Sequence, residues 1–341
     1  MACMTESGWV FLPPWITALL VSLLVIVGWI LYTDLHLLLF RRHEQEGDRG
    51  FLRDMHAAKV PGASLLLIRE GQLDSVSPYG LADPKTGQKI SPDTLFTIAS
   101  ISKTVTATAL TTLYEQGKFG LDEDINLYLP FSVRNPNFPD TPITFRMLLT
   151  HTSSIRDSQV YTRQYTLRQK PVLPDSPIPL GEHLADYLKP GGKWFHPKNN
   201  FLKQPPGTRY TYSNTGFGLV GFLTELISGM PFDEYCKKAV FIPLGMKHSA
   251  WHHRDVDINR MAVPYGYDNL RHKPKPIGFY GYPTYPDGAL KTSVSEYARF
   301  LSIFANEGKT FEGKAFLKPE TVKEMLSRSE ERRVGKECRS R

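Results

Sequence analysis

The stretch Thr97-Ile98-Ala99-Ser100-Ile101-Ser102-Lys103 opens a helical pattern that extends to Gly117. Ser100 and Lys103 are three residues apart, so on a helix they share one face and the Lys103 ammonium can reach the Ser100 hydroxyl. A serine in the first turn of a helix also lies near the positive end of the helix dipole. The pair can therefore form a nucleophile, provided that burial or neighbouring charge holds the lysine partly neutral.

A Ser-x-x-Lys match by itself is weak evidence for chemistry. Serine and lysine each occupy roughly one position in fifteen, so a chain of this length contains about one match by chance. This chain contains one. The alternative for an isolated match is an exposed helix N-cap with a solvated lysine, so the surrounding sequence must decide.

A second candidate motif is Tyr212-Ser213-Asn214, which follows the turn at Pro205-Pro206-Gly207 and begins an apolar helical pattern. A phenol and an amide placed there would project from a loop into a cleft, and a tyrosine in such a position can shuttle protons. Tyr267-Asp268-Asn269 has the same spacing, but it lies in a loop flanked by proline and glycine and no helix follows it. We therefore prefer Tyr212 to Tyr267.

These motifs occur in the same order as in the class C β-lactamases, penicillin-binding proteins and related esterases, a superfamily of serine hydrolases. The chain resembles this superfamily from about Gly62 to Leu326. The stretches that carry the resemblance are Phe96 to Lys103, Leu148 to Ile155, Pro206 to Asn214, Pro243 to Met246, Asp287 to Leu290 and the helix through Ala298 to Leu301.

The resemblance implies a role for each candidate residue. Ser100 would be the acylated nucleophile, and Lys103 its proton acceptor or electrostatic partner. Tyr212 would act as general acid or base toward the leaving group and the hydrolytic water, while Asn214 would hydrogen-bond the substrate. The backbone N–H of Ser100 would supply half of the oxyanion hole. The implied reaction is acyl transfer to water from an ester or amide in a small molecule or peptide, with no metal or organic cofactor.

The implied fold is α+β, of the β-lactamase and transpeptidase type: an antiparallel sheet flanked by helices, with an all-helical subdomain inserted in the middle and Ser100 at their boundary. We assign it to residues 51–327. Patterning predicts a hairpin from Gly62 to Gly80. It also predicts helices at Ser100–Gly117, Thr144–Leu149, Leu180–Leu188, Asn214–Ile227, Pro231–Val240, Ser293–Asn306 and Pro319–Leu326.

The sequence departs from the family pattern in two places. Ser154 stands where the family usually has glycine, which changes loop freedom but no expected catalytic atom. The family's third motif, Lys- or His-x-Gly on a strand that lines the cleft, has no convincing match before Ser327. We therefore expect the domain to be incomplete at its C-terminus, without the strand that supplies the second oxyanion donor, and the chain as given to be inactive.

The last residues, 328–341, read RSEERRVGKECRSR and have no apolar periodicity. They resemble the in-frame translation of a sequencing-library adapter, and we interpret them as an artefact. The alternative is a solvated natural C-terminus, since charge runs are usually solvated.

The N-terminal region carries a long apolar segment. No charged residue occurs from Gly8 to Thr33, and residues 15–32 are apolar and long enough to cross about 30 Å of hydrocarbon. We predict a tail at 1–14, a transmembrane helix at 15–32 that binds the lipid bilayer, and a juxtamembrane linker at 33–50. No basic residue precedes the segment, which argues against a cleavable signal peptide. The alternative to a transmembrane helix is a buried core helix. If the segment does span a membrane, the arginines that follow it would, by the positive-inside rule, place the rest of the chain on the cytoplasmic or equivalent side.

Composition excludes several other classes. A chain of 341 residues with 41% hydrophobic and 22% charged residues is neither disordered nor collagen-like. The cysteines, Cys3, Cys236 and Cys338, have no zinc-finger or disulfide-framework spacing. The formal charge of +7 comes from scattered residues, a short cluster near residue 41 and the C-terminal tail, so no nucleic-acid partner is predicted.

Two further matches have structural interpretations. The G-x-G-x-x-G match at 216–221 lacks a parallel-sheet context, so close helix packing is preferred to dinucleotide binding. His248, His252 and His253 near Asp255 lack the spacing of a zinc helix, and His151 is expected to pack or to orient its loop. Two non-enzymatic alternatives stay open: a catalytically inactive membrane scaffold and a peptide-binding or cell-wall receptor. The joint presence of Ser100, Lys103, Tyr212 and Asn214 favours an enzyme.

Overall fold

The computed structural model describes residues 3–4, 10–11, 48–159 and 175–327. The chain divides into two units, Met1–Val60 and Pro61–Arg341. The first unit contains an antiparallel pair, β1 (Cys3–Met4) with β2 (Val10–Phe11), and helix α1 (Asp48–Ala57), which patterning did not predict.

The predicted transmembrane helix at 15–32 lies outside the described residues, as do residues 12–14, most of the predicted linker and the tail at 328–341. Within the described part of the chain, no helix is both long enough and apolar enough to span a bilayer. Membrane attachment therefore stays a prediction.

The second unit opens with the predicted hairpin. Strand β3 (Gly62–Arg69) pairs antiparallel with β4 (Gln72–Asp83), and the short strand β5 (Gln88–Lys89) adds to β4. The connecting residues Glu70 and Gly71 both have positive φ, 50° and 74°, as a type I′ turn requires. This part of the sequence prediction is confirmed.

The segment around Ser100 differs from the predicted helix in one respect. Helix α2 begins at Ser102 and ends at Glu115, whereas Ser100 lies in a single 3₁₀ turn, Ala99–Ile101, just before it. Ala99 has a φ of 46°, which is incompatible with a right-handed helix. Because residues i and i+3 eclipse one another in a 3₁₀ turn, Ser100 and Lys103 still share a face.

Helices α3 to α8 form the middle of the chain. They are α3 (Phe145–Leu149), α4 (Leu180–Leu188), α5 (Pro197–Asn200), α6 (Asn214–Ser228), α7 (Phe232–Cys236) and α8 (Ile242–Leu244). The predicted helix at Pro231–Val240 is wrong in detail, because a π-turn at Lys237–Phe241 joins α7 to α8.

Helix α6 is the centre of this layer and packs against α2, α3, α4 and α7. Residues 215–224 are all buried, as expected for a helix that is apolar on every side. A Cβ at Gly218 would lie 2.9 Å from Cγ2 of Thr284, and one at Gly221 would lie 2.4 Å from Cγ of Pro286. The G-x-G-x-x-G match is therefore a packing motif, as predicted.

A second short sheet brings the later part of the chain back to Ser100. Strand β6 (Leu95–Thr97) leads into the 3₁₀ turn and pairs antiparallel with β9 (Lys291–Ser293). Helix α9 (Val294–Ala305) follows β9 directly and packs on β3 and β4, and α10 (Pro319–Leu326) comes after it.

One loop prediction is wrong. Tyr267 and Asp268 belong to strand β7 (Tyr265–Asp268), which pairs with β8 (Lys273–Pro276) in a hairpin. Pro264 precedes β7, Gly266 lies within β7 and is paired, and Pro274 and Pro276 lie in β8. Strand β8 pairs with β7 alone among the described strands, a position in which proline is tolerated.

Candidate active site

Ser100 is exposed at the junction of β6 and α2. The backbone that precedes Ser100 is fixed by a hydrogen bond in which Ile98 N donates to Leu290 O at 3.0 Å. Gly288 also approaches closely, and a Cβ there would lie 3.3 Å from the carbonyl carbon of Ala99 and 2.5 Å from Oη of Tyr282. The positive φ of Ala99 is thus kept by its surroundings, as is typical of strained residues at functional sites.

Lys103 is 6% exposed, and its Nζ has an acceptor for each of its three protons. It donates to Ser100 Oγ at 3.3 Å, to Asn214 Oδ1 at 2.7 Å and to the backbone oxygen of Asp287 at 2.5 Å. The Asp287 carboxylate lies 4.0 Å away. These groups offset the cost of burying the charge and hold the ammonium beside the Ser100 hydroxyl.

Tyr212 completes the contacts of the Ser100 side chain. Its Oη donates to Ser100 Oγ at 2.7 Å, and Lys103 Nζ lies 5.0 Å from the centre of its ring. The structure therefore brings Tyr212 to Ser100, while Tyr267 lies in the β7–β8 hairpin.

His151 supports Tyr212 from behind. The His151 ring centroid is 4.5 Å from that of Tyr212, and His151 Nδ1 accepts from Ser213 N at 3.2 Å. His151 O accepts from Thr211 N at 2.7 Å. His151 thus packs against and orients the loop that carries Tyr212, as the sequence interpretation expected.

Asn214 lies at the first position of α6, where both ends of its amide are used. Its Oδ1 accepts from Lys103, and its Nδ2 donates to Asp157 Oδ2 at 3.0 Å. Asp157 also accepts from the backbone N–H of Asn214 and Thr215, at 2.9 and 3.0 Å, and from the Thr215 hydroxyl at 2.8 Å. A carboxylate that receives these bonds at a helix N-terminus is stabilised by the helix dipole.

Sequence reasoning missed Asp157 and gave no role to Asp287. Asp157 follows the Leu148 to Ile155 stretch by two residues, and Asp287 opens the Asp287 to Leu290 stretch. The indication that the sequence offered for a role was that both residues lie in or next to stretches that carry the family resemblance. Which backbone or side-chain groups each one reaches is decided by the fold.

The remaining candidates lie elsewhere. Ser154 has a φ of 64°, the conformation that favours glycine, and its Oγ accepts from Asn135 Nδ2 at 3.0 Å. His252 lies 3.7 Å from Asp175 and 3.5 Å from Asp233. Over residues 48–159 and 175–327, no group of three or more potential side-chain ligands is arranged to hold a metal ion.

A cleft of about 510 Å³ opens beside Tyr212. Its walls come from three segments: the residues after α3, the α5 region and the strand-like approach to α6. The lining residues are Arg156, Asp157, Lys198, Phe201, Leu202, Lys203, Gln204, Arg209, Thr211 and Tyr212. One of these lining residues, Tyr212, donates to Ser100 Oγ.

Comparison with known proteins identifies the family and the fold. The sequence model of the family described as Beta-lactamase matches residues 40–337. The chain is 25% identical over 222 residues to Protein flp of Staphylococcus aureus (strain N315), covering 65% of this chain and 41% of that protein. It therefore spans less than half the length of this curated relative.

Solved structures agree on the fold. The octameric penicillin-binding protein homologue from Pyrococcus abyssi matches with a TM-score of 0.67 and 27% identity, over 82% of this chain and 59% of that one. The penicillin binding protein from Bacillus halodurans matches with a TM-score of 0.61 and 26% identity, over 80% and 76% of the two chains. The predicted α+β architecture of the β-lactamase and transpeptidase type is confirmed.

Proposed function

The chain belongs to the beta-lactamase family, and we propose that it is a serine hydrolase in which Ser100 attacks the carbonyl carbon of an ester or amide. The observation that carries the proposal is the convergence of Lys103 Nζ and Tyr212 Oη on Ser100 Oγ, at 3.3 and 2.7 Å. Nucleophile and proton-transfer partners lie within or near hydrogen-bond reach, as this chemistry requires.

In the acylation step Ser100 Oγ bonds to the carbonyl carbon, and Tyr212 relays protons: as its Oη takes up the Ser100 proton, its own hydroxyl proton passes to the leaving oxygen or nitrogen. Every proton of the Lys103 ammonium has an acceptor, so in that form Lys103 acts electrostatically and stabilises negative charge on the two oxygens it faces. The bond from the carbonyl carbon to that protonated atom breaks, and the alcohol or amine departs. The products of this step are the acyl-enzyme and the free leaving group.

In the deacylation step a water molecule attacks the acyl carbon, and Tyr212 takes up a proton of that water as its own hydroxyl proton passes to Ser100 Oγ. The ester bond to Ser100 Oγ breaks, the carboxylic acid departs and Ser100 recovers its proton. Asn214, held between Lys103 and Asp157, is in place to donate to a substrate oxygen once it exchanges one of its present bonds.

The test uses a fluorophosphonate probe and hydrolysis of a neutral 4-nitrophenyl ester. We expect the chain, extended to include a Lys- or His-x-Gly motif, to be labelled and to turn over the ester, and Ser100→Ala in the same extended chain to lose both while its unfolding transition stays unchanged. Ser75→Ala, an exposed serine on β4, is the matched control and should behave as wild type. Labelling of Ser100→Ala at the level of the unsubstituted extended chain would refute the proposal, and absence of labelling in that extended chain, when folded, would favour the scaffold alternative.

We also propose that residues 15–32 attach the enzyme to a lipid bilayer. The support is the absence of charge from Gly8 to Thr33, together with tryptophans and a tyrosine at positions suited to the interface. The protein should resist alkaline carbonate extraction from cell membranes. Recovery in the soluble fraction with a new N-terminus near residue 34 would indicate a cleaved signal peptide.

A further inference from the structure

His151 contacts the loop that carries Tyr212 through both its backbone and its side chain. Its O accepts from Thr211 N at 2.7 Å, and its Nδ1 accepts from Ser213 N at 3.2 Å. The centroid of its ring lies 4.5 Å from that of Tyr212 and 5.8 Å from that of Tyr210. His151 therefore contacts all four of the residues that lead into α6.

The side chain of His151 has little freedom to move. It belongs to a residue that is 8% exposed and whose φ is 60°, in the left-handed region. Its N donates to Leu148 O at 3.2 Å, near the end of α3, and its ring lies 5.0 Å from that of Phe217 on α6. The position of Tyr212 thus depends on an imidazole that is itself fixed.

The hydrogen bond from Ser213 defines the protonation state of this imidazole. A backbone N–H only donates, so Nδ1 offers a lone pair and the ring proton is on Nε2. A second proton on the ring would be placed at Nδ1, where it would face the Ser213 N–H, donor against donor. Ser213 is 1% exposed, so the loss of its acceptor would be costly.

Among the described residues, the titratable groups next to the imidazole come from two elements. The loop before α6 contributes the phenols of Tyr210 and Tyr212, and α2 contributes Lys103, whose Nζ lies 5.0 Å from the ring centre of Tyr212. Helix α6 presents the uncharged ring of Phe217, 5.8 Å from the same Nζ. A positive charge on His151 would therefore be buried close to a second one, which is unfavourable.

We propose that His151 is a positioning residue of the hydrolase: its neutral imidazole holds Tyr212 at Ser100, and its protonation slows hydrolysis as the pH falls. The inference rests on the proposed hydrolase function and adds a pH dependence to it. Imidazoles ordinarily exchange a proton between about pH 5 and 8. As the pH falls through this range, Ser213 loses its acceptor and the hydrogen bond from Tyr212 Oη to Ser100 Oγ is disturbed.

Two substitutions separate the acceptor from the aromatic ring. His151→Asn keeps an acceptor oxygen close to the position of Nδ1, does not titrate, and introduces a residue that tolerates a φ of 60°. His151→Phe keeps a ring and removes the acceptor. His248→Asn, at an exposed histidine in another loop, is the matched control. All three are made in the extended chain, and urea denaturation establishes that each is folded at the pH of the assay.

The first measurement is kcat/KM for a neutral 4-nitrophenyl ester from about pH 8 to about pH 5, a range in which carboxylates stay charged. We expect the value for the unsubstituted extended chain to fall by about 5-fold or more, and His248→Asn to follow it. His151→Asn should be about 2- to 10-fold slower at pH 8, because the ring contact is lost, and nearly independent of pH. His151→Phe should be on the order of 10- to 100-fold slower at pH 8, because the buried Ser213 N–H has no acceptor.

The second measurement does not depend on activity. NMR spectra of the histidine ring nitrogens, recorded on the chain as given, identify which nitrogen carries the proton, and the signals that disappear in His151→Asn belong to His151. At pH 8 we expect the proton on Nε2. The pH at which Nδ1 gains its proton should coincide with the midpoint of the fall in kcat/KM.

A proton on Nδ1 at pH 8 would overturn the inference and leave the hydrolase proposal intact. So would an equal acid fall in His151→Asn, equal activity of His151→Asn and His151→Phe at pH 8, or a kcat/KM of the unsubstituted extended chain that is flat down to pH 5. If that chain hydrolyses nothing at any pH, the proposed function fails, and the NMR spectra still decide the state of the imidazole.

Discussion

At the scale of single residues, the Ser100 hydroxyl is the point where two different chemistries meet. Lys103 is buried, and its Nζ is held by three acceptors, whereas Tyr212 is 40% exposed and presents a hydroxyl that substrate and water can reach. The two side chains should therefore be separable by mutation, because one contributes to the packed interior and the other does not.

Tyr212→Phe should lower kcat/KM for a neutral ester by on the order of 10² to 10⁴, the usual scale for losing an acid–base partner. Its stability should be unchanged, since the lost hydroxyl is at the surface. Lys103→Met should lower kcat/KM as much and also cost about 1 to 3 kcal/mol of unfolding free energy, because Asn214 Oδ1 and Asp287 O lose their donor.

Steady-state kinetics and urea denaturation of the two variants test this prediction. Tyr210→Phe is a suitable control, because Tyr210 is similarly exposed, at 43%, and lies two residues away. Wild-type activity in Tyr212→Phe would show that the proton leaves by another route.

At the scale of elements, the N-terminus of α6 positions the site. The helix is capped by Ser213, whose Oγ accepts from Gly216 N at 2.9 Å, and Asp157 binds the N–H groups of the two residues between them. The capping contacts fix Asn214, and Asn214 in turn contacts Lys103 on α2. A helix terminus therefore connects the loop after α3 with the Ser100 segment.

Asp157→Asn should disturb this connection. An asparagine presents one acceptor oxygen and one NH₂ group where four donors converge. Its NH₂ group would therefore face two of those donors in place of an acceptor. We expect a loss of about 1 to 2 kcal/mol of unfolding free energy and a fall in kcat/KM of about 10-fold as Asn214 loses its position.

The matched control is Asp257→Asn, because Asp257 caps a separate 3₁₀ turn by accepting from Asn259 N at 3.0 Å. It should lose little stability and no activity. If the activity of Asp157→Asn falls only in proportion to its unfolded fraction, Asp157 has a structural role and does not position Asn214.

At the scale of the whole second unit, one buried charge lies apart from the site. Lys291 is 1% exposed on β9, and its Nζ donates to Trp251 O at 2.8 Å. Burial lowers the pKa of Lys291 to about 8, although Asp175 and Asp255 act in the opposite direction. The packing of β9 into the interior thus costs stability whenever this amine is protonated.

The sign of the pH dependence follows. Below about pH 8 Lys291 is protonated in both the folded and the unfolded chain, and its burial costs up to about 3 kcal/mol. Between about pH 8 and the ordinary lysine pKa of 10.5 the unfolded chain binds a proton that the folded chain does not, so the contribution of Lys291 to stability rises with pH.

Lys291→Met should remove this rise. At pH 7 the variant should be more stable than wild type because the cost of burying the charge is gone, and this gain should be reduced by about 1 kcal/mol for the lost hydrogen bond. Urea denaturation of both proteins at several pH values between 7 and 10 measures the difference, with Lys309→Met as the exposed control. Parallel stability curves for Lys291→Met and wild type would contradict the prediction. The comparison is needed because burial also raises the pKa of Tyr187 and Tyr285, which makes stability fall at high pH.

Local sequence was sufficient for the elements whose boundaries depend on neighbouring residues. The hairpin could be predicted from the two strand patterns on either side of Glu70-Gly71. The helices at Leu180–Leu188 and Pro319–Leu326 begin and end at the predicted residues. The start of α2 was placed wrongly because Ala99 has a positive φ, at a point where Gly288, far along the chain, packs closely against its carbonyl group.

The same distinction holds for the site. The sequence alone determined that Ser100 and Lys103 share a face and that a Tyr-x-Asn motif precedes an apolar helix, because spacing along one helix or turn sets those relations. Only the tertiary structure decided that Asp157, His151 and Asp287 complete the site. Their contacts join residues 57, 62 and 184 positions apart, and no periodicity in a sequence specifies which distant carboxylate, imidazole or carbonyl oxygen a folded chain will bring to a given donor.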